Sequence, residues 1–75
     1  MGGELPVLKP KQVVKILNKL GFVLARQKGS HQQFLHSDRR ATTVPMHSSR
    51  DLSPILLRQI CKDINLTTTE FLKAK

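Results

Sequence analysis

Tryptophan and tyrosine are absent from this 75-residue chain, and three phenylalanines are its only aromatic residues. Without tyrosine no phenol can hand over a proton. With Phe22, Phe34 and Phe71 assigned to the core, no ring is left as a base-stacking platform. Cysteine occurs once. One thiol excludes an internal disulfide and the secreted scaffolds stapled by them, and it excludes a thiolate zinc site, which takes two or more. No apolar run approaches the roughly 20 residues of a membrane helix, and the first nine residues lack the apolar stretch of a signal peptide. A reducing, cytoplasmic setting is expected. Acidic residues are scarce as well: 5 Asp+Glu stand against 13 Lys+Arg, for a net charge of +8. That excess asks for an anionic partner: nucleic acid, a membrane surface or an acidic protein.

What is present suits one small domain spanning residues 1–75. The apolar fraction of 39% with 24% charged residues is that of a folded chain rather than a disordered tail. A chain this short buries only about 60% of its unfolded surface. An enclosed cofactor crevice does not fit beside a core, so no cofactor is expected and any site must be shallow. Residues 1–9, with Gly2-Gly3 and Pro6, read as a poorly ordered lead-in.

Pro10 stands where a first helical residue belongs, because its missing N–H costs nothing there. Val13, Ile16, Leu17 and Leu20 follow at helical spacing, and Gly21 is a C-terminal stop. Lys11, Lys15 and Lys19 recur every four residues on another face. Phe22–Gln27, His31–His36 and Ala41–Val44 read as three short strands, separated by the turns Lys28-Gly29-Ser30 and Ser37–Arg40 and ended by Pro45. Ser53-Pro54 opens a second helix whose apolar face carries Leu57, Ile60, Cys61 and Ile64, and Asn65 is its left-handed stop. On that face Cys61 reads as a small core residue. Thr67 and Glu70 have the spacing of a capping box, so Thr68–Ala74 is expected to form a short terminal helix. The order α-β-β-β-α(-α) implies a two-layer α+β fold with the helices on one face of an antiparallel sheet.

The segment from Lys28 to Phe34 carries the chemistry. If Phe34 points into the core, strand alternation sends His31 to the opposite, uncovered face, beside Lys28. An imidazole there can take up and return a proton near neutral pH. A solvated strand histidine would have the same spacing. His36, at an odd offset from His31, and His47 are the other histidines. They are candidates for a second proton-transfer group, with His47 ahead, and each also reads as a solvated residue. The three histidines contain no i,i+4 pair, and strand parity parts His31 from His36, so no metal site is expected. Arg39-Arg40 reads either as a solvated hairpin tip or as a phosphate contact.

Gly29-Ser30-His31, with Phe34 three residues on, resembles the signature of the HicA (YcfA-like) family of small toxins from toxin–antitoxin modules. Leu5-Pro6-Val7-Leu8, Val13–Phe22, Val44-Pro45 with His47, Asp51-Leu52 and Glu70-Phe71 resemble further stretches of that family, in order along nearly the whole chain. Pro54-Ile55 departs from the Lys-Gly pair that many members carry. The resemblance implies a fold like that of a double-stranded-RNA-binding domain and ribosome-independent, metal-independent cleavage of mRNA. It makes His31 the catalytic residue and a HicB-like antitoxin the partner. Lys28, Gly29 and Ser30 at the turn and Lys11, Lys15 and Lys19 on the first helix are then the candidate RNA-binding residues. No membrane and no small-molecule cofactor are implied. A non-catalytic RNA-binding module of the same fold is the alternative, since both need the basic surface.

Overall fold

The computed structural model describes residues 7–46 and 50–75. Its order is α1 (Pro10–Lys19), β1 (Val23–Lys28), β2 (His31–Leu35), β3 (Ala41–Pro45), α2 (Pro54–Asp63) and α3 (Thr68–Lys73). The α+β reading holds, and the terminal helix is present. Residues 1–6 and 47–49 lie outside the described residues, so the lead-in is described only from Val7 on. Leu8 and Lys9 do not behave as a loose lead-in. Leu8 is buried and its carbonyl accepts from the Leu52 N–H at 2.8 Å, in an isolated antiparallel bridge. Lys9 is the N-cap of α1, and the Gln12 side chain accepts the Lys9 N–H at 2.8 Å.

Both long helices end the same way. The chain leaves α1 through Gly21 at φ +96, with Phe22 N–H donating to Leu17 O and Gly21 N–H to Asn18 O. It leaves α2 through Asn65 at φ +61, with Leu66 N–H donating to Cys61 O and Asn65 N–H to Lys62 O. This is the Schellman pattern, which satisfies carbonyls a helix end would otherwise strand. At the other end of α2, Ser53 Oγ accepts the Leu56 N–H at 3.1 Å, as an N-cap hydroxyl should.

The sheet is antiparallel in the order β1-β2-β3. Partnered residues share a face, so register divides the sheet into two sides. One side carries Phe34, Thr42 and Val44, all buried, and the helices lie against it. Their side chains close a core with Phe22 and Phe71, Val13, Ile16 and Leu17 of α1, and Leu57, Ile60, Cys61 and Ile64 around α2. Each fully buried Phe is worth about 1.5–3 kcal/mol. Against a net stability of about 5–15 kcal/mol for such a domain, the three rings are fully committed to folding. Among the described residues the other side of the sheet is left open.

Candidate active site on the open sheet face

The open face is laid out in rows of cross-strand neighbours. Lys28, His31 and Pro45 form the row nearest the β1–β2 turn, Arg26, Gln33 and Thr43 the next, and Val23, Leu35 and Ala41 the last. His31 is exposed and stands on the side away from the buried Phe34, as strand alternation requires. Its turn is a two-residue one: Lys28 pairs directly with His31, and Gly29 takes φ +58 at the first loop position while Ser30 does not. That is the glycine placement of a type II′ hairpin turn. The turn is also fastened to the end of β3, where Met46 N–H donates to Ser30 O at 2.6 Å.

Arg26, Lys28, His31, Gln33 and Thr43 together line an open hollow of about 370 Å³. Among the described residues no carboxylate lines it. Every one of these side chains can donate a hydrogen bond, and two are cations. An anion is the ligand such a lining favours, and a phosphate diester would find both charge and donors there. Lys28 was singled out in the sequence; Arg26, Gln33 and Thr43 were not. Counting back from a two-residue turn would have found the first two, since pairing Lys28 with His31 pairs Arg26 with Gln33; Thr43 needs the β2–β3 register as well.

The structure separates the two groups of candidate RNA-binding residues. Lys28, Gly29 and Ser30 sit at the hollow and its turn. Lys11, Lys15 and Lys19 sit on α1, in the helical layer behind the sheet. Lys15 and Lys19 border a different hollow, of about 240 Å³, with Gln12, Ile16 and Lys75.

His36 is drawn away from the open face. Its ring lies 5.0 Å from Phe22, and its Nδ1 accepts the Asp38 N–H at 3.1 Å. Arg40 belongs to the same cluster. It donates to Asp38 through Nε at 2.8 Å and to Ile64 O, at the end of α2, at 2.7 Å, and it lies over the Phe22 ring. Of the two arginines in that turn, Arg40 is thus a brace between the turn and both helix ends. His47 lies outside the described residues. Among the described residues no group of three or more His, Cys, Asp or Glu is placed to hold a metal ion. Burial pushes the Cys61 thiol up to about 11, so it remains a neutral core group.

Fold and site define a small, strongly basic α+β domain that presents one histidine among cations on the sheet face opposite its helices. A family model described as HicA toxin of bacterial toxin-antitoxin matches residues 10–66, and the chain belongs to that family. Membership in a toxin–antitoxin family implies an antitoxin partner. No curated protein matches the chain as a relative. Among the described residues no helix is long and apolar enough to cross a membrane.

Proposed function

We propose that this chain is the ribonuclease toxin of its module, an endoribonuclease that cuts mRNA without metal or ribosome, with His31 as its catalytic residue. The observation that carries this reading is the placement of His31 among Lys28, Arg26 and other donors on the sheet face opposite the helices. His31 takes the proton of a ribose 2′-hydroxyl. The 2′-oxygen attacks phosphorus, the bond to the 5′-oxygen breaks, and the leaving oxygen receives a proton from the imidazolium or from water. The products are a 2′,3′-cyclic phosphate and a 5′-hydroxyl. Lys28, directly across the strand pair from His31, offsets the extra negative charge on the phosphorane. Gly29 and Ser30 let the RNA backbone approach the turn; a Cβ on Gly29 would meet nothing within 4 Å. The α1 lysines add affinity from the layer behind.

The antitoxin in this reading is HicB-like and acidic, steered by the +8 charge and seated over the His31 face. The test is product chemistry. Purified protein incubated with RNA in EDTA should yield fragments ending in cyclic phosphate and 5′-hydroxyl. Intact RNA that is nevertheless bound would instead make the chain an RNA-binding module.

A further inference from the structure

β1 serves two masters. Phe22, just before it, is buried in the core, and alternation counted forward from Phe22 would aim Leu24, Arg26 and Lys28 at the helices. Counted back from the turn, Lys28 pairs with His31 and Arg26 with Gln33, both on the open face. The conflict is resolved at Ala25. Leu24 pairs with Phe34 on the covered side, Arg26 pairs with the very next residue, Gln33, and Ala25 is the unpaired extra residue of a bulge. A bulge of one residue reverses the parity of everything beyond it.

We infer that Arg26 is the residue that grips the scissile phosphate and that the Ala25 bulge places it there. The inference rests on the ribonuclease reading above and adds to it the identity of the phosphate clamp. Lys28 lies directly opposite His31, where cross-strand Cβ atoms are about 4.5–5.5 Å apart, while Arg26 is the diagonal neighbour at about 7–8 Å. A phosphate whose ribose reaches His31 falls within the longer reach of the guanidinium. Its planar fork of N–H groups matches two non-bridging phosphate oxygens at once, which an ammonium cannot do. Arg26 is exposed, and among the described residues its guanidinium has no hydrogen bond or ion pair within the chain, so none of them competes for it.

In the reaction Arg26 neither gives nor takes a proton. The 2′-hydroxyl proton passes to His31, the O2′–P bond forms as the P–O5′ bond breaks, and the 5′-oxygen is protonated by the imidazolium or by water. Arg26 holds the non-bridging oxygens while the phosphorane's charge develops. Arg26→Gln should therefore lower kcat by about 10²–10³-fold, the usual effect of removing one donor to a developing oxyanion. Arg26→Lys should recover part of that rate, because charge returns without the fork. The thermal midpoint should be unchanged. A structural role would show in thermal unfolding and would not be rescued by lysine. If the unaltered protein cleaves RNA and Arg26→Gln cleaves with the same kcat, the clamp assignment is overturned and the ribonuclease reading stands. If the unaltered protein does not cleave, both fall.

Discussion

Single residues decide two matters here, how tightly the chain can turn and what faces the open sheet. Gly21 is held at φ +96, and a Cβ there would come within 3.0 Å of His36 Nε2. His36 cannot easily yield, since it packs on Phe22 and accepts from Asp38. Gly21→Ala should cost more than about 1 kcal/mol, through backbone strain and contact together. In a domain this size that lowers the thermal midpoint by at least about 4 °C. Gly29→Ala, with the same sign of φ but open space around it, should cost less; equal midpoints for the two variants would contradict the contact argument. Gly21 was legible as a stop from its place after an amphipathic run. The function of Arg40 was not. Its partners are a carboxylate two residues back, a ring 18 positions away and a carbonyl 24 positions away, and a dipeptide Arg-Arg in a polar turn says nothing of the last two.

At the scale of elements, the helices were readable because their ends carry chemistry that acts locally. Pro10, Gly21, Ser53-Pro54, Asn65 and the Thr67/Glu70 pair each act within a few residues of their own position, and all five stand where the sequence placed them. The strands were readable in number and order, with limits shifted by one residue at one end of β2 and β3 and at both ends of β1, but not in the detail of β1. Its bulge satisfies Phe22 on one side and the hairpin on the other, and that compromise is a property of the pair of strands. The fastening of Leu8 was not legible for a related reason: it is held by Leu52, a partner 44 residues on. For α3, Thr67 Oγ1 accepts the Glu70 N–H at 3.0 Å and Glu70 accepts the Thr67 N–H at 2.8 Å. Thr67→Ala should cost about 1 kcal/mol in denaturant unfolding. The Thr67 N–H, first, and then its hydroxyl hold the Glu70 carboxyl below its usual range; the Arg40 N–H does the same for Asp38. Both groups bind protons more weakly folded than unfolded. Their contribution is complete above the ordinary carboxylate pKa of about 4 and is lost as pH falls through the lower folded value. The unfolding midpoint should drop on acidification below about pH 4, and Glu70→Gln should flatten that drop. An unaltered acid slope in Glu70→Gln would count against the capping box.

For the molecule as a whole, the excess of basic over acidic residues is distributed over two layers. Arg26, Lys28 and His31 occupy the open sheet, and Lys11, Lys15 and Lys19 occupy α1 behind it. An RNA held by both must pass around an edge of the sheet. If each α1 lysine meets one phosphate of a single strand, replacing all three with glutamine should reduce the slope of log affinity against log salt by about 2. An unchanged slope would leave α1 as a solvated face and confine the RNA to the open sheet. If the antitoxin seats over the open face, as proposed, its complex should protect His31 from diethyl pyrocarbonate. The most direct measurement is cleavage of RNA by His31→Ala beside the unaltered protein, with growth and folding followed in parallel. His31 is exposed, so its truncation leaves no cavity and should change stability by no more than about 0.5 kcal/mol. Loss of the proton-transfer group should slow cleavage by about 10²–10⁴-fold and abolish toxicity, with RNA still bound through the lysines and arginines. A folded His31→Ala protein that cuts RNA and arrests growth as before would contradict the account.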